Sequence, residues 1–224
     1  MLYINQSFRP RLMVLRHSPN SVQVVISPLE KNFAGAFANI LRRIIMRFTP
    51  GVGIIGFSSL DNINLHQYRK IPGIHEETAC LLSHMQMLIL RTHSVLPMEL
   101  YIRKKGPSTI YAHDLIIPSY IKIINPDLYI CTIESGYQIN LTLYADVGYG
   151  HLSAHAHGNK KNILYCDTVY SPIKHISYYI HSYVSYEELI LYVKTNGSCD
   201  ALFVVNHALN FLNKKTNVIN TLDR

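Results

Sequence analysis

One segment, residues 27–51, constrains the fold of this chain more than any other. Its apolar side chains recur with the spacing of a single helix face, which predicts one amphipathic helix. We expect Asn32 to cap the start of this helix and Thr49-Pro50-Gly51 to end it. A face this apolar needs a large surface to bury it. Its residues are Phe33, Phe37, Ile40, Leu41, Ile44, Ile45 and Phe48.

Two arginines, Arg42 and Arg43, lie off the apolar face of this predicted helix. Two interpretations fit them. They are the solvated side of an ordinary core helix, or they contact a second partner while the apolar face is buried elsewhere. The planar guanidinium group suits the second role because it can pair with a carboxylate through two hydrogen bonds.

The composition is that of a folded protein with a basic surface. Of its 224 residues, 48% are hydrophobic and only 16% are charged, which excludes disorder for the chain as a whole. The net charge of +7 favours an acidic partner, either nucleic acid or an acidic protein surface. The basic residues are dispersed along the sequence, so no continuous stripe for phosphates can be identified.

Four cysteines, Cys80, Cys131, Cys166 and Cys199, are far apart in sequence and form no C-x-x-C pair. We expect four buried thiols in a reducing compartment. No apolar run has the length of a signal peptide or a membrane span, so we expect a soluble protein. The abundance of Ile, Asn and Tyr fits A/T-rich coding and suggests a plastid stroma or a bacterial cytoplasm.

The remaining sequence predicts strands with a helix at its far end. Glycines at 51, 53 and 56 are expected to break an apolar run, and Ser135-Gly136 is expected to join two strands in a hairpin. A second helix is predicted over 76–88, with Glu76 and Glu77 in its first turn, and a third is expected to begin after Asp200. Strands are predicted at 22–26, 98–102, 121–124, 128–133, 137–144, 170–184 and 188–195.

The sequence of the first predicted helix resembles that of the first helix in the alpha subunit of bacterial-type RNA polymerases. That family has PLE-x-x-F, a stretch of small residues, N-x-LRRI and then PG. The matching residues here are Pro28-Leu29-Glu30, Phe33, Asn39, Leu41-Arg42-Arg43-Ile44 and Pro50-Gly51.

Shorter motifs of the same family follow in the family's order along the whole chain. Each is weak alone, whereas the ordered set is specific. They are Arg9-Pro10-Arg11-Leu12, Gly73 with Glu76 and Glu77, Gly148-Tyr149, Tyr170-Ser171-Pro172-Ile173, and Thr195-Asn196-Gly197-Ser198 with Asp200.

The resemblance implies an α+β fold of two subdomains. Residues 1–50 plus 173–224 would form a dimerisation subdomain of helices on a sheet, and residues 51–172 an inserted strand-rich subdomain. The implied protein is a non-catalytic subunit whose homodimer is the assembly platform for the beta and beta-prime subunits. Its implied dimer interface is Phe33, Phe37, Leu41, Ile44, Leu209 and Leu212, and its implied large-subunit contacts are Arg42, Arg43, Glu76 and Glu77.

The sequence departs from the family pattern in three places. Val147 stands where the family's G-R-G-Y loop has arginine, and the segment 150–161 is rich in histidine and lysine. The family usually carries a further DNA-binding domain, for which this sequence offers no counterpart. We therefore expect contact with DNA only indirectly, through an assembled enzyme.

Two other classes of function remain open from the residues. A basic module that binds nucleic acid by itself would account for the charge of +7. A zinc enzyme would need His151, His155 and His157 as ligands, but no Cys or carboxylate lies among them. The sequence also lacks a P-loop, a G-x-S-x-G motif and a D-x-D-like magnesium cluster, so we expect no catalysis, metal or cofactor.

Overall fold

A computed structural model describes residues 9–59, 66–94, 97–158, 160 and 162–220. These residues form the predicted α+β fold, in which most strands are antiparallel. Their helices are α1 Ala34–Phe48, α2 Thr78–Gln86 and α3 Ala201–Asn220. Their strands are β1 Arg11–Ser18, β2 Ser21–Leu29, β3 Pro50–Ser59, β4 Leu90–Thr92, β5 Met98–Lys105, β6 Ser108–Tyr111, β7 Ile121–Ile123, β8 Tyr129–Ile133, β9 Gln138–Tyr149, β10 His151–Leu152, β11 Leu164–Tyr165, β12 Thr168–Val169, β13 Ile173–Ser182 and β14 Glu187–Thr195.

The chain divides into two compact units, which we call the terminal unit and the inserted unit. The terminal unit holds the residues up to Thr49 and those from Pro172 onward, and the inserted unit runs from Pro50 to Ser171. Strand pairing explains the division, because β2 pairs with β14 and thereby closes the terminal unit across the inserted segment.

The terminal unit is a four-stranded antiparallel sheet, in the order β1-β2-β14-β13, with α1 and α3 on one face. Alternate residues of a strand point to opposite faces, so every second residue of the central strands faces the helices. These helix-facing residues are buried and apolar, which makes this side the core of the unit. They are Val22, Val24, Ile26, Leu189, Leu191 and Val193.

Helix α1 starts later than its sequence predicts, and Asn32 does not cap it. Strand β2 continues to Leu29, and Asn32 adopts φ 64°, a left-handed conformation that asparagine tolerates better than most residues. Asn32 therefore turns the chain between strand and helix. The first turn of α1 is capped instead by Glu187, whose carboxylate accepts the Ala34 N–H at 3.1 Å and is only 8% exposed.

Replacing Glu187 with alanine should lower the free energy of unfolding by about 1–3 kcal/mol, because a buried helix N–H loses its acceptor. Glu187→Gln keeps an acceptor oxygen and should retain most of that stability. The measurement is the urea midpoint of the purified chain. Glu188→Ala, at the next position and half-buried, is the control and should change stability by less than about 0.5 kcal/mol. Equal losses for the two alanine variants would contradict the capping role.

Two other predicted helix ends, the end of α1 and the start of α3, agree with the structure. Helix α1 ends at Phe48, and the Thr49 hydroxyl donates to the Ile45 carbonyl at 2.6 Å. Asp200 caps α3, because its carboxylate accepts the Leu202 N–H at 3.3 Å.

The inserted unit is built on a second four-stranded sheet, in the order β11-β3-β9-β5, with the shorter pairs β4-β7, β6-β8 and β10-β12. The expectation that glycines break the run after Gly51 is wrong, since β3 continues through Gly53 and Gly56. A Cβ atom at Gly56 would collide with the Leu164 carbonyl oxygen. Glycine is therefore required there for the close approach of β11 to β3.

Two local predictions in the inserted unit are also wrong. Ser135-Gly136 does not join a hairpin, because β8 pairs with β6 whereas β9 pairs with β3 and β5. Helix α2 begins at Thr78, so Glu76 and Glu77 precede it rather than occupying its first turn. Glu76 is held elsewhere, since its carboxylate accepts the Thr132 N–H at 2.9 Å and the Tyr129 hydroxyl.

Candidate functional site

Helix α1 carries an apolar surface beside the face that it buries in its own chain. The buried face is formed by Ala34, Ala38, Leu41 and Ile45. Next to it runs an exposed strip, which we call the apolar flank. Phe33, Ile40 and Phe48 in this strip are between 41% and 46% exposed, and Phe37 is half-buried. Large apolar side chains grouped in this way mark a surface that a partner covers.

Aromatic stacking holds the two ends of the apolar flank in place. The rings of Phe33 and Phe37 stack with centroids 5.5 Å apart. At the other end, Phe48 stacks on Phe211 of α3 at 4.6 Å, and the Lys215 ammonium lies 5.7 Å from the Phe211 ring centroid. The flank is thus a preformed surface to which both helices contribute.

The residues predicted for a dimer interface fall into two groups. Phe33 and Phe37 lie on the apolar flank. Leu41 is fully buried and Ile44 is buried, and Leu209 and Leu212 are half-buried against the same clusters. All four pack against the core of their own chain; Leu41 leaves no surface for a partner, whereas Leu209 and Leu212 keep part of theirs exposed. Ile40, which belongs to the predicted apolar face but not to the implied interface, is exposed.

Arg42 and Arg43 are both exposed, as their position off the apolar face of the predicted helix indicates. Neither forms an ion pair with any residue that the structure describes. Their guanidinium groups are therefore available to a carboxylate on another molecule. Both side chains project from α1 away from the face that packs on the core.

Glu76 and Glu77, predicted as further contacts, differ in their availability. Burial raises the pKa of the Glu76 carboxyl, but the hydrogen bonds from Tyr129 and the Thr132 N–H outweigh it, so this pKa is lowered. A carboxylate that accepts these bonds ties the segment before α2 to strand β8. Glu77 is exposed and remains accessible to a partner.

The histidines of the segment 150–161 do not assemble into a metal site. His151 and His155 are exposed, whereas His157 Nε2 lies 3.0 Å from the Thr168 hydroxyl and its ring packs near Tyr165. Burial lowers the pKa of His157. Among the described residues, no three His, Cys, Asp or Glu side chains are grouped closely enough to hold a metal ion. Asn159 and Lys161 of this segment lie outside the described residues.

All four cysteines are free thiols, but only two of them are buried as predicted. Burial raises the pKa of Cys131 to about 12 and that of Cys166 to about 11, so both stay protonated and unreactive. Cys80 is exposed and Cys199 is half-buried, which corrects the expectation of four buried thiols. No helix within the described ranges has both the length and the apolar character needed to cross a bilayer.

In the terminal unit a four-stranded sheet carries two helices, and a strand-rich unit is inserted along the chain between the strands of that sheet. This is the class of an α+β protein with an inserted domain. Residues 55–171 match the family described as the RNA polymerase Rpb3/RpoA insert domain, and the chain belongs to this family.

Curated relatives match most of the length of this chain. The DNA-directed RNA polymerase subunit alpha proteins of two strains of Thermus thermophilus are 29% identical to it over 199 residues, which is 85% of this chain. The same alignment covers 62% of each relative, so this chain matches less than two thirds of their length.

Proposed function

We propose that this chain is the non-catalytic alpha subunit of a DNA-directed RNA polymerase and acts in transcription. Two copies would associate through the terminal unit, and the homodimer would be the platform on which the beta and beta-prime subunits assemble. DNA would be contacted only through the assembled enzyme. A plastid stroma or a bacterial cytoplasm is the compartment that fits this role.

The observation that carries the dimer is the apolar flank of α1. Phe33, Phe37, Ile40 and Phe48 form a strip that crosses from the start to the end of the helix. A helix that presents such a strip can pack its ridges into the grooves of a second helix of the same kind. A two-fold dimer brings the same patch of both copies together, which doubles the area that is buried.

The exposed arginines support the contact with a large subunit. Arg42 and Arg43 lie outside the apolar flank, so a dimer made through that flank leaves them accessible. We assign them to carboxylates of the beta or beta-prime subunit, with Glu77 as a contact of opposite charge on the inserted unit. Glu76 is left out of this surface because it is bonded within its own unit.

The experiment that tests the proposed function is purification of the tagged chain from its native source under mild conditions. We expect two large polymerase subunits to co-purify with a dimer of the chain, and the complex to elongate RNA. Sizing of the recombinant chain alone by light scattering should give twice the mass of 25.6 kDa. A monomer that co-purifies with no polymerase subunit would overturn the proposal.

Arg43→Ala should leave the dimer intact and weaken capture of the large subunits. The variant loses a charge-assisted contact, which costs roughly 2–5 kcal/mol when the pair is buried in a complex. The measurement is a pull-down of recombinant beta subunit across a concentration series. Arg11→Ala is the matched control, since Arg11 is an exposed arginine on β1 rather than on α1. Capture by Arg43→Ala at the level of the unmodified chain would remove this residue from the contact.

A further inference from the structure

The sheet of the terminal unit has a second face, which we call the outer face, and the proposed assembly does not use it. Helices α1 and α3 both pack on the opposite side. The orientation of β13 is fixed by Tyr178, whose hydroxyl donates to Asn39 of α1 at 3.1 Å. Because side chains alternate along a strand, Tyr179 and His181 point to the outer face.

Strand register places two complementary rows of side chains across the outer face. Met13, Val25, Ile190 and Tyr179 lie opposite one another on β1, β2, β14 and β13, and form an apolar row. The neighbouring row is Arg16, Gln23, Tyr192 and Ser177. The second row therefore places the Tyr192 ring in line with a hydrogen-bonding and a cationic side chain, and the Tyr179 ring lies one row away.

Rings continue along β13 to the turn that follows it. Tyr179 lies 4.7 Å from His181, and His181 lies 6.4 Å from Tyr183, between ring centroids. Tyr183 in turn stacks on Tyr186 at 4.7 Å. Tyr179 is 60% exposed, so its ring is open to a flat ligand. A row of accessible rings on a sheet is a surface on which successive bases can stack.

The charge of the outer face is positive. Arg11, Arg16 and Lys194 are exposed there, and none of them forms an ion pair with the described residues. The acidic residue of this face is Glu188, which is half-buried opposite His181. Exposed cations around exposed rings favour a ligand that is both polyanionic and aromatic.

We propose that the outer face binds single-stranded RNA. Bases would stack on Tyr179, His181 and Tyr192, while Arg16 and Lys194 neutralise phosphates. A duplex would not fit, because its bases are stacked on one another and inaccessible to a flat platform. An acidic protein segment would satisfy the cations but would leave the rings without stacking partners. Gln23 and Ser177, in the row of Tyr192, offer hydrogen bonds to a 2′-hydroxyl, which favours RNA over DNA.

Fluorescence anisotropy of the full-length chain with labelled oligouridine of about 12 nucleotides tests this site. Oligouridine should bind more tightly than oligothymidine of the same length, and duplex RNA should bind least. Two phosphate contacts, at Arg16 and Lys194, predict a slope of about −1.4 for the logarithm of the binding constant against the logarithm of salt concentration.

Substitutions locate the binding to the outer face. Tyr179→Ala should weaken oligouridine binding by about fivefold or more, while Tyr179→Phe, which keeps the ring, should bind as the unmodified chain does. Tyr149→Ala, at an equally exposed tyrosine of the inserted unit, is the control and should have no effect. Lys194→Gln should reduce the salt slope by about 0.7, whereas Lys122→Gln on β7 should leave it unchanged.

Four results would overturn the proposal. The first is equal loss of affinity in Tyr179→Ala and Tyr149→Ala, and the second is binding of duplex as tightly as of single strands. The third is loss of a co-purifying protein from Tyr179→Ala while its oligouridine affinity stays unchanged, which would make the outer face a protein contact. Equal affinity for oligouridine and oligothymidine would remove RNA as the ligand. None of these results bears on the dimer, so they leave the proposed subunit role untouched.

Discussion

Ile40→Asp is expected to yield a folded monomer. Ile40 is 46% exposed on the apolar flank of α1, so aspartate is tolerated in the isolated chain but would be buried without a partner in the dimer. Burial of an unpaired carboxylate costs several kcal/mol, which corresponds to a rise of roughly 100-fold or more in the dimer dissociation constant. The measurement is sedimentation equilibrium, with circular dichroism to establish that the fold is retained.

Met46→Asp is the matched control for this variant. Met46 is 48% exposed on the same helix but lies about 120° around the helix axis from Ile40, so the control carries the same added charge and should remain a dimer. If Ile40→Asp sediments as a dimer with unchanged affinity, the apolar flank is not the contact between copies. If both variants dissociate, charge alone weakens the dimer and the assignment to this strip fails.

Leu41→Asp, one residue further, is expected to unfold the terminal unit. Leu41, a residue of α1, is fully buried against α3 and the sheet. The cost of a buried carboxylate, again several kcal/mol, is comparable to the total stability of about 5–15 kcal/mol that domains have. We expect loss of the cooperative urea transition of this unit, or insoluble protein.

Two milder substitutions keep the role of Leu41 testable if the aspartate variant is insoluble. Leu41→Ala should cost about 2–5 kcal/mol, and Leu41→Met less than about 1.5 kcal/mol, both measured from urea midpoints. Neither substitution should change the dissociation constant of the folded dimer. Any apparent weakening should match the fraction of the chain that is unfolded. A Leu41→Ala variant with native stability but weakened association would instead place Leu41 at the interface.

The contrast between Ile40 and Leu41 shows how far periodicity reaches. Both residues fall on one apolar stripe, and the spacing alone predicts the helix and its exposed arginines. Which part of the stripe faces the chain's own core depends on where α3 and the sheet lie, and a single helix pattern carries no such information. The residues predicted for the interface therefore include both buried and exposed positions of this chain, and the interface itself stays a prediction.

Long-range pairing explains the remaining differences. The cap of α1 comes from Glu187, which lies 153 positions away from Ala34, whereas local rules pointed to the neighbouring Asn32. Similarly, Gly56 looked like a strand breaker because its packing partner, Leu164, is distant in sequence. The fold class was predictable because the ordered motifs and the strand periodicity agree, while individual turns depended on contacts between distant segments.

The carboxylate of Glu187 has a consequence for synthesis on the ribosome. The inserted unit contains all of its own strands and can close as soon as residue 171 has left the exit tunnel. The sheet of the terminal unit has to wait, because β2 obtains its partner β14, and α1 its cap, only from the last fifth of the chain. A polypeptide interrupted before that point would display α1 without its support, and it would be recognised by chaperones and proteases rather than by a second copy.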